Sequence, residues 1–342
     1  MKNLSAINKL IYLINAVVAL VLLFSYALPF LPPKTFAVLS VLNLGVPFLM
    51  LSNVLFLLYW LLRLKRQFFL SLFVLAIGYF CFGSLYKFAA SKKVEDPNNI
   101  KVMNYNVRLF NVYDWISDTD VQTKMVSFIK QEAPDILSIQ EFHPHQEVDL
   151  SFYKHKFENI SGNKLKHGQA IFSKFPIINS GSVAFPNTSN NAIFVDVVKQ
   201  KDTIRVYNVH LESLRIDTKI ESLKNEDSER LINRVGSTFT MQQFQTELFL
   251  KHKNSCKYKM IICGDFNNTA YSYVYRKIKG DLNDTFEEAG NGFGRTYDFK
   301  FFPVRIDYIF SDEAFTVNGF KSYNEHYSDH YPIMATLALQ PE

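Results

Sequence analysis

Carboxylates, amides and imidazoles recur at the ends of apolar, strand-like runs in this chain. Asn106 closes "VMNYN", Glu141 closes "DILSIQE", and Asn208 and His210 close "IRVYNVH". Asp265 and Asn267 follow "MIIC", Asp307 lies inside "RIDYIF", and Asp329–His330 precede "YPIMATLAL". One sheet edge would collect them all. Glu141, Asn106 and Asp329 offer the hard oxygen ligands that Mg2+ or Mn2+ prefer. Asp265 and Asp307 add carboxylates, one to activate a water and one to orient an imidazole. His210, His330, Asn208 and Asn267 are donors suited to phosphoryl oxygens and to charge that develops in a transition state. Carboxylates for a metal and a base, with amides and histidines for an anion, fit metal-assisted hydrolysis of a phosphoester.

Each residue taken alone also has a plain structural account. Asn106 is a strand-end cap, His210 a satisfied core histidine, and "GDFN" a tight turn. Asp307 has a partner within reach on its own strand face, Arg305, because residues i and i+2 share a face. A buried carboxylate without any partner is costly, so Asp307 must face something polar. The plain account has to be invoked separately at every strand. The chain has no Gly-rich loop for nucleoside triphosphates, no G-x-S-x-G elbow and no H-E-x-x-H helix, which sets aside the chemistries those motifs serve.

The elements that must position these residues are legible as apolar periodicity. Strand patterns cover Ile100–Val107, Asp135–Glu141, Gln169–Phe172, Ala192–Val198, Ile204–Val209, Lys259–Cys263, Arg305–Phe310 and Tyr331–Leu339. Thr119–Pro134 reads as a helix with a Thr cap, apolar residues at Val121, Met125, Phe128 and Ile129, and a Pro stop. Further helices are expected over about Asp227–Lys253 and Tyr271–Lys279. Alternating strands and helices predict a two-sheet α/β domain with a helical layer on each side, residues 100–342.

The residues before it belong to a different solvent. Ile11–Leu31, Phe36–Leu62 and Phe68–Leu85 carry no charged residue, and at about 1.5 Å rise per residue each crosses or nearly crosses a core of roughly 30 Å. The expectation is a membrane domain, residues 1–91, with three transmembrane helices at about 11–31, 36–62 and 68–88. A cleaved signal peptide would explain only the first run. Lys2, Lys9, Arg63, Lys65 and Arg66 fall on one side, and Lys34, Lys87, Lys92 and Lys93 on the other. That asymmetry favours an N-terminus inside and a C-terminal domain on the non-cytoplasmic side. "KKVEDPNN", residues 92–99, is the expected linker.

Charge is split in the same place. Residues 1–99 carry a net +7 and residues 100–342 a net −2, which argues against a strongly basic groove for duplex nucleic acid. The three cysteines are Cys81, Cys256 and Cys263, without metal-ligand spacing. Cys263, inside an apolar strand pattern, reads as a buried free thiol.

In order, "NYNV", "IQE", "GQAIFSKFPI", "NVHLES", "CGDFN", "RIDYIF" and "SDHYPI" resemble the motifs of the endonuclease/exonuclease/phosphatase superfamily, the DNase I-like proteins, over about Lys101–Leu339. The resemblance implies a four-layer α/β sandwich and a divalent-metal-dependent phosphoesterase. It implies Glu141 as the main ligand of Mg2+ or Mn2+, with Asn106 and Asp329 near it. Asp265 would position or deprotonate the attacking water, with Asn267 beside it on the phosphate. His330, held by Asp307, would contact the scissile phosphate, and His210 would meet it from the opposite strand. One departure stands out. Where some members place an acidic residue two positions after the first-motif Asn, this chain has Arg108, which could meet an anionic substrate. Glu212–Thr240 is long and charged, a lid or a solvated helix, and Phe299–Val304 is a candidate aromatic loop. The expected partners are a phosphoester substrate, nucleic acid or phospholipid, and the bilayer through residues 11–88, with no protein partner implied. The competing class is a non-catalytic, membrane-anchored scaffold on a hydrolase fold.

Overall fold

The structure is a computed structural model, and the residues described are 4–83, 85–88, 94–162, 165–216, 227–299 and 302–340. Lys2, Lys92 and Lys93, residues 217–226 of the charged stretch after Glu212, and Lys300 and Phe301 lie outside them. Contacts divide the chain into two units, one of Met1–Leu85, Glu226–Gln243 and Thr269–Arg276, the other of Tyr86–Asn225, Phe244–Asn268 and Lys277–Glu342.

The first unit contains the apolar helices α1 (Ala6–Ser25), α2 (Ala37–Val41), α3 (Val46–Leu62) and α4 (Phe68–Phe82). Two continuous stretches, Ala6–Phe30 and Ala37–Leu62, are long and apolar enough to cross a membrane. This corrects the expectation of three spans. α4 has 15 residues and ends at Gly83, whose φ of 79° takes the chain out of the helix, so at about 1.5 Å per residue it reaches roughly 22 Å. Many apolar side chains of the unit are exposed, and a few polar ones are buried beside an apolar core of Ala19, Leu22, Val46, Met50 and Val74. Leu13, Val17, Leu20, Leu55, Leu58 and Phe73 are exposed, whereas Asn15, Asn53 and Ser71 are fully buried. Asn15 joins three helices, donating to Ser71 Oγ at 2.8 Å and accepting from Trp60 Nε1 at 3.0 Å.

The second unit is built on two six-stranded sheets. Its strands are β1 (Asn99–Asn106), β2 (Ile136–Phe142), β3 (His155–Ser161), β4 (His167–Ser173), β5 (Ile177–Ala184), β6 (Asn191–Lys199), β7 (Asp202–His210), β8 (Lys259–Asp265), β9 (Asn283–Asp284), β10 (Asp307–Ser311), β11 (Phe315–Ser322) and β12 (Ile333–Leu339). The sheets run β11-β12-β1-β2-β4-β3 and β5-β6-β7-β8-β10-β9. The main helices beside them are α5 (Val121–Glu132) and the part from Phe244 onward of α6 (Ser228–Lys253).

Ile100, Val102, Ile136 and Ile171 of one sheet share a core with Ile193, Val206, Ile261, Cys263 and Ile309 of the other. The sheets therefore pack face to face. On the outer face of the first sheet, Val121, Met125 and Ile129 of α5 bury against Met103, Leu137 and Ile139. On the outer face of the second, Tyr207 meets Phe249 of α6 edge-on, ring centroids 5.1 Å apart. These are the four layers of a DNase I-like sandwich. α5 starts at Asp120 rather than at the Thr119 cap, and it ends on Ala133, left-handed at φ 48°, just before Pro134. Cys263 is buried and unpaired, and Cys256 is free.

Strand alternation explains where the polar residues go. Side chains two apart share a face, so the inward face of β1 reads Ile100, Val102, Asn104, Asn106. That of β7 reads Ile204, Val206, Asn208, His210, and that of β8 reads Ile261, Cys263, Asp265. The space between the sheets is hydrophobic at one end of the strands and polar at the other. The site is the polar end of the core.

Candidate active site

The residues singled out above come from two facing sheets, not from one sheet edge. Parallel pairing sets His210 of β7 beside Asp265 of β8, and antiparallel pairing sets Asp307 of β10 on the other side of Asp265. The first sheet supplies Asn106 of β1, Glu141 of β2, and Asp329 and His330 just before β12. Gly264 lets β7 and β8 pair this closely, because a Cβ there would lie 2.0 Å from the Val209 carbonyl oxygen.

Asp265 is the centre. Its Oδ2 accepts a 3.0 Å hydrogen bond from Asn106 Nδ2, and the Nε2 atoms of His210 and His330 each lie 3.7 Å from it. Its Oδ1 accepts from the backbone N–H of Asn267 at 2.8 Å. Burial raises the Asp265 carboxyl to about 7, against the pull of His330. The two imidazoles are driven apart. Burial, together with the neighbouring His330, lowers His210 to about 4. Burial also opposes charge on His330, but Asp307 and Asp265 overcome it and hold this ring up at about 10. At neutral pH the site presents one neutral imidazole and one imidazolium, a division of labour set by surroundings alone.

Asp307 is bound to His330, not to Arg305. Asp307 Oδ2 lies 2.9 Å from His330 Nδ1, so the Nδ1–H of the charged ring donates to Asp307 and Nε2 is turned towards Asp265. The backbone N–H of Asp307 donates to Thr296 Oγ1 at 3.1 Å. Arg305 reaches across to Asp284 at 2.6 Å.

Glu141 faces inward for a backbone reason. By alternation it belongs on the helical side, next to inward Gln140 and outward Ile139. A left-handed φ of 52° at Glu141, where the β2–β4 register shifts between Ile139 and Phe142, turns it back. Its Oε1 then accepts from Asn106 Nδ2 at 3.2 Å. The orientation of Asn106 is fixed, because its Oδ1 accepts from the Arg108 backbone N–H at 3.0 Å, a group that can only donate. Asn106 thus bridges Glu141 and Asp265 as a donor and orients both. Burial, then the charge of Asp329, raises the Glu141 carboxyl.

Two expected site residues, Asn208 and Asn267, are held by main-chain carbonyls. Asn208 is fully buried one layer below, its Nδ2 donating to the carbonyls of Ile139 and Ala170 and its Oδ1 accepting from Gln140 at 2.6 Å. With both amide ends engaged between the sheets, it supports the site rather than facing a phosphate. Asn267 is half-buried, left-handed at φ 49°, and donates to the Leu211 carbonyl at 3.0 Å.

The layer around Asn208 was not foreseen. Gln140 Nε2 also donates to Asn104 Oδ1 at 2.7 Å, and Asn104 reaches Asp307 Oδ1 at 3.4 Å. The signal was present as period two, Asn104 preceding Asn106 and Asn208 preceding His210. Ser328 was missed as well. Its hydroxyl donates to the Asn106 carbonyl at 2.9 Å and accepts from the His330 N–H at 3.2 Å, clamping the "SDH" turn to β1. Tyr297 flanks His330 edge-on, centroids 5.0 Å apart.

A model of the endonuclease/exonuclease/phosphatase family matches residues 103–330, the span that holds the whole cluster. The chain belongs to the endonuclease/exonuclease/phosphatase family. A second model, of a domain of unknown function, matches residues 8–85. Solved structures agree on the fold of this family member. An endonuclease/exonuclease/phosphatase from Bacteroides vulgatus is 17% identical, with a TM-score of 0.54 over 71% of this chain and 99% of that one. The human Nocturnin catalytic domain with bound sulfate is 18% identical, TM-score 0.53, covering 71% and 94%. D. rerio TDP2 complexed with single-strand DNA product is 18% identical, TM-score 0.52, covering 71% and 99%. A search of curated protein sequences returned no match.

Proposed function

We propose that this protein is a membrane-anchored, divalent-metal-dependent phosphodiesterase that hydrolyses its substrate with an activated water. The observation that carries the reading is Asp265 Oδ2, set between a neutral and a protonated imidazole and tied to Asn106. A carboxylate raised towards neutrality by burial suits a base that accepts a proton near pH 7. Asp265 takes the proton of the attacking water as the new oxygen–phosphorus bond forms and the ester oxygen departs on the opposite side. His330, charged through Asp307, and His210 from the facing sheet donate to the phosphoryl oxygens, where charge grows in the transition state. Asn267 lies beside them.

Oxygen donors for a hard cation are at hand in Glu141 and Asp329. Burial and the negative charge of Asp329 both disfavour ionised Glu141, and a divalent cation would relieve that conflict. The other cluster of ligand-type atoms, Asp265, Asp307 and His330, lies within 4.8 Å. There Nδ1 of His330 is engaged by Asp307 and the ring is protonated, so that trio suits a proton better than a metal. When bound, the metal would supply Lewis-acid stabilisation of the phosphoryl group.

The apolar exterior of the helical unit and the buried, hydrogen-bonded Asn15 and Ser71 support a lipid environment for Ala6–Phe30 and Ala37–Leu62. Asn15, bonded to both Ser71 and Trp60, supports retention of the first helix as an anchor rather than a removed leader. With two crossing helices the N-terminus and the sandwich share one side, which carries Lys9, Arg63, Lys65 and Arg66 against Lys34 on the other, so the Lys/Arg distribution favours a sandwich on the cytoplasmic side. The substrate is a phosphodiester of nucleic acid or of a phospholipid head group.

The test is hydrolysis by the full chain in detergent or lipid discs. Single-stranded and duplex DNA, RNA, phospholipids and bis-p-nitrophenyl phosphate are offered with Mg2+, Mn2+ or EDTA, beside Asp265→Ala and His330→Ala. Turnover that needs the metal and vanishes in both variants supports the mechanism, and the preferred substrate names the class. Folded protein that binds no metal and turns over nothing would point instead to a membrane-anchored scaffold.

A further inference from the structure

The turn after Asn106 delivers a cation to the site. Arg108 Nη1 lies 3.3 Å from Asp329 Oδ2. Its guanidinium stacks 4.3 Å over the Trp115 ring, and Trp115 is braced edge-on by Tyr113, centroids 5.1 Å apart. The backbone is bent to achieve this. Arg108, Leu109, Phe110 and Asn111 are consecutive left-handed residues at φ 43°, 55°, 52° and 59°, a run that non-glycine residues adopt only when the surroundings impose it. Here Arg108 N–H is held by Asn106 Oδ1, and Leu109, Phe110 and Asn111 are buried. The Asn111 side chain closes the loop by bonding both the N–H and the carbonyl of Ile116 at 2.9 Å. Asp329 is approached from its other side by Ser328 Oγ at 3.3 Å.

We infer that Arg108 is the resident cation of Asp329, which leaves Glu141 as the carboxylate open to a divalent ion and holds the site to a single bound metal. The inference rests on the proposed reading of Glu141 as a metal-holding carboxylate. A guanidinium keeps its charge at any working pH, and its stack on Trp115 restricts where it can go. A divalent ion on Asp329 would sit a few ångströms from that fixed positive charge. Even at the dielectric of bulk water, the repulsion weakens binding of a divalent ion there on the order of tenfold or more.

The measurement is Mn2+ binding to the full chain in detergent, counted by the paramagnetic resonance signal of the free ion, with no substrate present. The wild-type chain is expected to bind one Mn2+. Arg108→Met, which removes charge and keeps length, is expected to bind a second ion or to bind Mn2+ at least about tenfold more tightly. Arg108→Lys keeps the charge and is expected to stay near wild type, which separates charge from packing on Trp115. Wild-type and Arg108→Met chains that bind alike, or a wild-type chain that takes two ions, would overturn the inference while the metal reading stands. Absence of Mn2+ binding in wild type and in all variants would remove the metal reading and the inference with it. Glu141→Gln identifies the wild-type ion, since its loss there and not in Arg108→Lys assigns that ion to Glu141.

Discussion

His330 Nδ1 and Asp307 Oδ2 lie 2.9 Å apart, both side chains buried. The pair joins the first sheet to the second, since His330 precedes β12 and Asp307 opens β10. It decides which nitrogen of the ring faces Asp265, and it keeps the ring charged against the pull of burial. Asp307→Asn retains size and a possible hydrogen bond but removes the charge. Activity on any accepted phosphodiester is expected to fall about a hundredfold or more. The check is kcat against KM, with the loss falling mainly on kcat. An unchanged kcat would show that the charge of His330 is not used.

Gln140 holds Asn104 and Asn208 together in the layer beneath the site. Gln140→Ala leaves two buried carbonyl oxygens without a donor. Unsatisfied groups of this kind cost about 1–3 kcal/mol each. Amide hydrogen exchange along β1, β2 and β7 should quicken by that margin, while exchange in α5 changes less.

Arg305 pairs with Asp284, and their side chains are 9% and 1% exposed. Arg305→Met would leave the buried Asp284 carboxylate, which still accepts from the Phe286 N–H, without the guanidinium that offsets its charge, at about 3–5 kcal/mol. The expected result is a steep fall in folded yield, recovered in part by Asp284→Asn in the same chain. A well-folded single variant would mean that water reaches Asp284 after all.

The helical unit makes its own prediction. If Ala6–Phe30 and Ala37–Leu62 lie in lipid, an alkaline carbonate wash leaves the whole chain in the membrane pellet. Release into the supernatant would show that those helices pack against protein.

The inner strands of the sandwich were legible and the outer ones were not. The strands absent from the sequence reading were β3, β5, β9 and β11, and each is an edge strand. An edge strand is half exposed, as β3 and β5 are, and lacks the unbroken apolar run that marks a strand covered on both sides. The reactive residues were visible because a carboxylate or imidazole at the end of such a run is out of character. Their supports were hidden for the opposite reason. Gln140 and Asn104 look like ordinary strand polarity until the facing sheet is known. Glu141 was found by type, yet its inward direction depends on a left-handed backbone that side-chain periodicity does not carry. The third apolar run was read as a span because absence of charge was counted, whereas the helix stops at Gly83.

Inward positions that step from aliphatic to catalytic two residues at a time leave little room for changes in strand length. One residue inserted between Val206 and His210 would turn the imidazole out towards α6. A deletion in β8 would do the same to Asp265. Changes of length belong between strands rather than within them. Chains descended from a common ancestor with this sandwich can then diverge in what they accept, by rewriting loops, far more readily than in the chemistry they perform.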